Sequence, residues 1–489
     1  MFGTLVRKEL KNIIAGPKFA ATFLACSVLI LLGVCVGIVD FKADMKQYET
    51  AVQLEQEQLQ EQHSWSYLAT RVFRKPDPMQ IFVGGVSRDI GRFSVLEESE
   101  AIRLTGSAYS NDTVFAVFRF IDLHFIFMVV MSLFAILFTY DSINGERESG
   151  TLKLVFTNPV KRFSYILAKF AGSWLGLAIP LVIPVLTGLL LVLLFRVPLT
   201  ADHWGRLLLF LLVSFLYCTF FLAFGLMVSA MTRRSSVSFL VLLVSWVAMI
   251  LIVPKAAVMA AGKLAPVPSV AQIESRIDRF SSSEWEKYIK GMEETSIRRE
   301  REMSGMTEEE RKAQREINEW NWLEESEKAR KAVETEIWNN SKRMYEELGN
   351  LRGRQERLAF VLSRVSPASA YKLASMNLAG TDTGLKERCE GQMARYHDSL
   401  YEFATKMEKE SPGGNPGIMV TIDSEKGLTT SAPRDTKTID TSGMPRFAEG
   451  YPSMSQVIRN ALTDAVLLVI YVALALLGAV AAFSAYDLR

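Results

Sequence analysis

The sequence predicts an all-α polytopic membrane protein. It has six transmembrane helices, both termini in the cytoplasm and a largely helical, coiled-coil-like extracytoplasmic domain. Two observations carry this prediction. The 489 residues have a positive mean hydropathy of +0.16. Their apolar windows are also separated from one long stretch that is rich in Glu, Lys, Arg, Gln and Asn. This segregation excludes both a plain soluble enzyme and a disordered chain.

The membrane spans are predicted from apolar windows of about 20 residues, the length that crosses a bilayer. The windows are residues 19–39, 117–140, 170–195, 207–231, 237–261 and a last span within 464–489 that includes the C-terminus. The first window is interpreted as an uncleaved anchor, because its apolar run continues past Cys26 and no small-residue cleavage site follows.

The orientation follows from the basic residues of the short loops. Lys and Arg cluster in residues 1–18, in residues 141–169 and at Arg233–Arg234. By the positive-inside rule these segments lie in the cytoplasm, and the protein is a multi-pass protein of the inner membrane. Residues 40–116 and 262–463 are then outside the cell membrane.

Several classes of function are disfavoured by what the chain contains. The formal net charge is only +2, and no basic stripe with interleaved aromatic residues predicts a nucleic-acid partner. The four histidines have no metal-ligand spacing, so no metal site is predicted. No Ser/His/Asp arrangement or carboxylate pair suggests a catalytic residue, and the chain is not expected to be an enzyme.

The extracytoplasmic segments are predicted to be mostly helical. Residues 43–70 contain no Gly or Pro and predict one helix, and residues 81–83 predict a short strand. Two further helices are expected at about 269–301 and 307–364, followed by a shorter one at 385–409 and an irregular segment at 411–450. In the long helix an apolar seam repeats every seven residues, which is typical of coiled coils: Ile337, Met344, Leu351 and Leu358. Its expected partner is either the 43–70 helix or the same helix of a second subunit.

The loop at residues 141–169 carries the most specific pattern. It has a charged turn, an amphipathic segment and a basic pair, and Thr151 is suited to cap the helix that follows. Its charged residues are suited to hydrogen bonds with another protein, although the basic pair alone is also what an ordinary positive-inside loop contains. The residues singled out are Asp141, Gly145, Glu146, Arg147, Glu148, Gly150, Thr151, Leu152, Pro159, Lys161 and Arg162.

As a whole this loop resembles the cytoplasmic coupling segment of type-2 ABC (ATP-binding cassette) exporter permeases. The resemblance includes Val160 and Lys169, and it departs slightly at the basic pair. Residues 1–18, with Arg7, Lys8, Glu9 and Leu10, resemble the family's elbow helix. Residues 366–382 and 486–489 resemble a subgroup with an enlarged external region, which includes the copper-processing permease of nitrous-oxide reductase maturation. Copper handling is not expected here, because no Met or His cluster is visible.

The resemblance implies the partners of the chain. The sequence has no phosphate-binding loop of the Gly-x-x-x-x-Gly-Lys-Ser/Thr type. ATP and Mg are therefore expected on a separate ABC ATPase subunit, present in two copies, and no cofactor is expected on this chain. The chain is expected to pair with a second permease subunit, identical or homologous, within the lipid bilayer. An extracytoplasmic partner protein is a further possibility.

Two intramembrane features are open to two interpretations each. Pro180 and Pro184 favour a kink in the third span, which is either a hinge for alternating access or a static kink. Arg119, Asp122 and His124 lie near the outer end of the second span. They either face a cavity of the dimer or lie in the membrane interface, which is the favoured interpretation.

The leading functional hypothesis is the membrane subunit of an ABC exporter, which couples ATP hydrolysis by a separate subunit to export or to external conformational work. The alternative is mechanotransmission, in which ATP hydrolysis moves the external helices and no substrate crosses. A membrane receptor is disfavoured, because no cytoplasmic output domain follows any span.

Overall fold

The computed structural model describes residues 2–63, 65, 68–96, 102–107, 121–157, 159–304, 307–410, 419–423, 427–431 and 438–485. The predicted start of the second span at 117–120 and the C-terminal residues 486–489 lie outside these ranges. Arg119 therefore lies outside them as well.

The described chain is built from helices, with two short β-hairpins. The helices are α1 Phe2–Ile14, α2 Pro17–Gln60, α3 (Leu123–Phe125, the π-helical Ile126–Met131 and Ser132–Thr139), α4 Asn144–Glu148, α5 Thr151–Phe156, α6 Arg162–Leu194, α7 Ala201–Met231, α8 (Ser235–Val247, the π-helical Ala248–Ile252 and Val253–Leu264), α9 Val270–Met303, α10 Glu308–Ser363, α11 Pro367–Ala379, α12 Leu385–Glu410 and α13 Met454–Ser484. The strands are β1 Thr70–Phe73, β2 Phe93–Leu96, β3 Met419–Asp423 and β4 Gly427–Ser431, and each hairpin pairs antiparallel.

Six helical segments of the described chain are long and apolar enough to cross a membrane. They are α2, Leu123–Glu148, α6, α7, Ser235–Leu264 and α13. This confirms the predicted all-α polytopic fold. The helices extend beyond the apolar windows: α2 has 44 residues. At 1.5 Å per residue it is roughly 66 Å long, about twice the hydrocarbon thickness of a bilayer.

The prediction of a separate helix at 43–70 is wrong at both its start and its end. The backbone of α2 continues from the apolar run to Gln60, because nothing between them breaks its hydrogen bonds, and Thr70–Phe73 forms β1. The strand predicted at 81–83 is also wrong. Pro78–Ile81 is a 3₁₀ turn, and the side chain of Asp77 caps it by accepting from the Met79 N–H at 2.7 Å. The segment predicted to be irregular, 411–450, contains the hairpin of β3 and β4.

Contact density divides the chain into two compact units. Unit one contains residues 1–255 and 363–489, and unit two contains residues 256–362. The predicted external segment 262–463 therefore does not form one compact body, because the part from Ser363 onward belongs with the spans.

The core of unit one is centred on α7, which packs against α13, α11 and α3. Tyr217 of α7 stacks on Tyr371 of α11 with ring centroids 4.4 Å apart, and Ser214 lies 2.9 Å from the Tyr371 hydroxyl. The motif at 366–382 is thus a largely buried helix of this core. It ends at Gly380, whose φ of +71° is a left-handed conformation that favours glycine.

A second apolar cluster in unit one joins α12 to the end of α2 and to β1. It contains Trp65, Val72, Met393 and Leu400, and the ring of Trp65 meets Phe403 edge-on. Cys389 lies in this cluster, and burial raises the pKa of its thiol to about 12. The thiol therefore stays protonated near neutral pH, so Cys389 is a packing residue and not a reactive one.

Unit two contains α9 and most of α10, which run antiparallel. The Tyr288 hydroxyl donates to the Ser326 carbonyl at 3.4 Å, and the side chain of Gln355 reaches the Ala265 carbonyl at 2.8 Å. The neighbour of the long helix is therefore α9, a partner that the sequence interpretation did not consider. The four seam residues are half-buried, whereas Leu348 beside them is only 4% exposed.

Replacing Leu348 with Glu is expected to open unit two. Burial of one leucine contributes about 1.5–3 kcal/mol, and a carboxylate placed there would have to be desolvated. Replacing Ile337, Met344 and Leu351 together with Glu is expected to have the same effect. Limited proteolysis within 256–362 measures the opening, and Trp338→Glu is the control because Trp338 is 38% exposed. Unchanged protease resistance in the Leu348 variant would show that this helix face is not packed.

Candidate coupling site

The predicted elbow helix α1 lies directly against α6. Two glycines of α6 allow this approach: a Cβ atom on Gly172 would lie 2.6 Å from the Cβ of Glu9, and one on Gly176 would lie 2.8 Å from a methyl of Ile13. Any larger side chain at either position would separate the two helices. The close approach leaves Glu9 only 8% exposed.

A buried ion network joins α1, α4 and α6. The ammonium of Lys169 lies 2.8 Å from Glu9 Oε2 and 2.9 Å from Glu146 Oε1. Lys169 is 5% exposed, so one cation holds two carboxylates in a largely dry environment. Lys8 adds a longer contact of 3.5 Å to Glu146. The network ties the elbow helix and the predicted coupling loop to the same turn of α6.

An aromatic cluster packs against the inner face of the predicted coupling loop. The Tyr165 hydroxyl donates to Glu146 Oε2 at 2.6 Å, and its ring stacks on Phe483 of α13 at 5.2 Å. Phe156 contacts both rings at 5.4 and 5.8 Å. Leu152 is 3% exposed within the same cluster. Because Phe156 contacts Tyr165 of α6 and Phe483 of α13, α5 is held against both helices.

The other end of the loop is held by hydrogen bonds to α7 and α8. Asn144 Oδ1 accepts from Ser229 at 3.0 Å, and Asn144 Nδ2 donates to Thr232 at 2.9 Å. Glu148 accepts from the Ser235 N–H at 2.8 Å and from its hydroxyl at 3.0 Å. At the start of the loop Lys18 of α2 pairs with Asp141 at 2.6 Å. The loop therefore contacts α2, α6, α7, α8 and α13.

The turn between α4 and α5 requires a glycine. Gly150 has φ +74°, a conformation that costs non-glycine residues roughly 1 kcal/mol or more. The hydroxyl of Thr151 does not cap α5 as expected; it donates to the Glu146 carbonyl at 3.2 Å. The turn presents an outward face, whose exposed residues include Glu148, Thr151, Lys153 and Leu154. Leu154 is 67% exposed.

The remaining predicted site residues fall into two groups. Pro159 and Lys161 are exposed, as is Arg7 of the elbow helix, whereas Gly145, Arg147 and Leu10 are half-buried. Arg162 turns inward, and its guanidinium donates to the Ser484 carbonyl at the end of α13. Pro180 and Pro184 are both buried within α6, which is helical from Arg162 to Leu194.

Sequence reasoning missed several residues that organise this site. Lys169 was noted only as part of the loop pattern, and Tyr165, Asn144 and Ser235 were not singled out. The available signal was weak. A lysine that follows apolar residues at the start of a span is normally a topology anchor, so only the two carboxylates around it reveal its role.

Comparison with known proteins identifies the family of the chain. The family model of the ABC-2 family transporter proteins matches residues 4–488. A probable ABC transporter permease protein NosY of Stutzerimonas stutzeri is 46% identical over 54 residues, which are 11% of this chain and 20% of that protein. The aligned part is thus about a fifth of that relative's length. Because the family model covers nearly the whole described chain, this protein belongs to the ABC-2 family of transporter proteins and is an ABC transporter membrane subunit.

Proposed function

We propose that this chain couples ATP hydrolysis by separate ATPase subunits to movement of its membrane helices. The observation that carries the proposal is the Glu9–Lys169–Glu146 network. A displacement of α4 or α5 would be transmitted to α1 and α6 together, because the buried ammonium of Lys169 binds the carboxylates of both Glu9 and Glu146. ATP and Mg would be bound by the ATPase subunits, present in two copies, and this chain would supply no catalytic residue.

The contact surface for the ATPase is the exposed face of α5 and the turn before it. Leu154 is an exposed apolar side chain, and the exposed polar residues Thr151 and Lys153 precede it in the same helix. An apolar anchor with polar neighbours is typical of a protein–protein contact surface. Glu148 belongs to this face as well. Glu146 has three intramolecular partners and therefore acts in coupling as a positioning residue behind the face.

In the same proposal the coupling loop lies on the cytoplasmic side of the inner membrane. The basic residues of the N-terminus, the coupling loop and the turn at Arg233–Arg234 support this side. Residues 40–116 and the segment after α8 are then extracytoplasmic. A second permease subunit, identical or homologous, completes the transporter, and export is the work that the family resemblance suggests. Pro180 and Pro184 are proposed as the hinge of α6.

Mechanotransmission is the second candidate. It is favoured by unit two, a compact body of two long helices with 34 and 56 residues in α9 and α10. Such a pair is suited to carry force or to hold an extracytoplasmic partner. Transport of a substrate by reconstituted vesicles supports export, whereas ATP-dependent movement of unit two without transport supports mechanotransmission.

Replacing Leu154 with Asp tests the proposed contact surface. Burial of a leucine at an interface contributes about 1.5–3 kcal/mol, so co-purification of the ATPase is expected to fall at least about ten-fold. The control is Leu54→Asp, because Leu54 of α2 is a comparably exposed leucine at 54%. Equal ATPase recovery for the two variants would exclude α5 as the contact.

A further inference from the structure

A cavity of about 250 Å³ lies in unit one, well away from the coupling loop. The start of α2 is tied to the coupling loop by Lys18, and the cavity begins at Gly33, 15 positions later on the same helix, or roughly 22 Å. The cavity holds about eight waters at ~30 Å³ each, which suits a small polar group. Its walls come from α2, the 3₁₀ turn and the loop after it, the start of α3 and α11.

Two buried side chains in the wall of this cavity each have a nitrogen atom without a hydrogen-bond partner in the described structure. Among the residues that the structure describes, Gln80 Nε2 and His124 Nε2 have no hydrogen-bond partner. Gln80 is 6% exposed and His124 is 8% exposed. Buried polar atoms normally have partners, so an occupant of the cavity is the simplest source of the missing ones.

The amide of Gln80 is oriented by a chain of hydrogen bonds. The guanidinium of Arg74 donates to the Ser87 hydroxyl at 3.1 Å, and that hydroxyl donates to Gln80 Oε1 at 3.1 Å. Because the oxygen of the amide is engaged there, its NH₂ group is the unsatisfied part. Gln80 therefore offers hydrogen-bond donors, which suit an anionic oxygen.

The ring of His124 is oriented in a similar way. Its Nδ1 lies 2.8 Å from the Ser375 hydroxyl, and that hydroxyl donates to the Tyr371 carbonyl at 2.8 Å. A hydroxyl that has given its one hydrogen to a carbonyl must accept from Nδ1–H. The other nitrogen, Nε2, is then an acceptor that suits an N–H donor of the occupant.

Charged side chains of both signs line the same cavity. Asp40 pairs with Arg88 at 2.9 Å in the cavity wall. Asp89, Asp122 and Lys372 also line it, so three carboxylates face two cations. A zwitterion fits this distribution better than an anion does, because the wall carries one more negative than positive charge.

The exposed part of the cavity lining, here called the mouth, includes apolar side chains at the end of an apolar span. Ile121 and Phe125 line the cavity and are 48% and 39% exposed, and Val36 belongs to the apolar run of α2. Side chains of this kind beside charged groups match the depth at which lipid head groups meet acyl chains.

We propose that the cavity binds a phosphoethanolamine group, and that its source is a phosphatidylethanolamine molecule of the leaflet opposite the coupling loop. The ammonium would donate to His124 Nε2 near Asp122, and the phosphate would accept from Gln80 Nε2 in the part of the wall that contains Arg88. A choline head group has no N–H to donate to His124, so it is disfavoured. The acyl chains would lie along Ile121 and Phe125.

Native mass spectrometry of the delipidated full-length protein tests this proposal. The probes are dioleoyl-phosphatidylethanolamine, dioleoyl-phosphatidylcholine, dioleoyl-phosphatidylglycerol and free phosphoethanolamine. We expect the wild-type protein to retain the ethanolamine lipid about ten-fold better than the choline lipid, the ratio that one lost hydrogen bond to a charged group produces. His124→Phe is expected to lose this preference, and Gln80→Leu is expected to lower the retention of both lipids, because both carry the phosphate that Gln80 would bind.

The controls separate lost binding from lost folding. Gln58→Leu replaces an exposed glutamine of α2 and should keep the preference. His124→Phe keeps the ring that stacks on Tyr371 at 4.9 Å, and gel filtration checks that each variant is folded. If a variant fails to fold, Val36→Trp fills the mouth instead and should also remove the preference.

The outcomes discriminate among occupants. Equal retention of the ethanolamine and choline lipids, or unchanged retention in Gln80→Leu and His124→Phe, would overturn the proposal. Binding of free phosphoethanolamine that both variants lose, without lipid retention, would support the same head-group chemistry and identify a soluble source. Preference for phosphatidylglycerol would overturn the assignment, because it would show an anion site.

Discussion

Replacing Lys169 with alanine is expected to uncouple the transporter. The substitution leaves Glu9 and Glu146 next to each other without a cation, and their side chains are only 11% and 15% exposed. Removing one partner of a buried ion pair costs about 3–5 kcal/mol. The elbow helix and the coupling loop should then separate from α6, and transporter-dependent ATP hydrolysis should fall to the rate of the isolated ATPase. ATPase assays and thermal unfolding in detergent measure the two effects.

Two variants distinguish a mechanical role of Lys169 from simple destabilisation. Lys46→Ala removes an exposed lysine of α2 and should change neither measurement. The triple variant Glu9→Gln, Lys169→Met and Glu146→Gln removes all three charges, so thermal stability should recover. If ATP hydrolysis is also fully coupled in the triple variant, the ion network is not the connection that we propose.

Replacing Arg364 with alanine is expected to destabilise unit one strongly. Asp464 of α13 is fully buried, and Arg364 holds both of its oxygens at 2.6 and 3.1 Å. A buried carboxylate left without its partner inside a span destabilises the fold by about 3–5 kcal/mol. The free energy of unfolding in mild detergent measures the loss.

A compensating variant checks the origin of this effect. Arg364→Met combined with Asp464→Leu replaces the pair with apolar side chains and should restore most of the stability. Asp464→Asn alone should be milder than Arg364→Ala, because the charge that it leaves unpaired is on Arg364, whose side chain is 27% exposed and can contact water. Equal losses in all three variants would show that packing at Arg364, and not the unpaired Asp464, is responsible.

The six spans and the long helices could be predicted from the sequence because local pattern determines them. Apolar runs of about 20 residues have one stable arrangement in a bilayer. The helices at 269–301 and 307–364 were predicted close to the observed α9 and α10, because few Gly and Pro residues interrupt them. The capping serine at Ser269 is a local signal of the same kind.

The errors occurred where a helix end or a strand depends on distant residues. Residues 61–70 contain no helix breaker, yet α2 ends at Gln60 and β1 pairs with β2, which lies about twenty residues further along the chain. The end of the helix is stabilised by the apolar cluster of α12, to which Trp65 belongs. No local pattern in 61–70 carries information about α12.

The sequence by itself determined the membrane class, the number of spans and the location of the proposed coupling loop in the chain. These follow from hydropathy and from a pattern at fixed spacing, which are properties of consecutive residues. Only the tertiary structure decided that Lys169 joins Glu9 to Glu146 and that Gln80 and His124 line one cavity. Glu9 and Lys169 are 160 positions apart, and the burial that makes their charges matter exists only after the helices have packed.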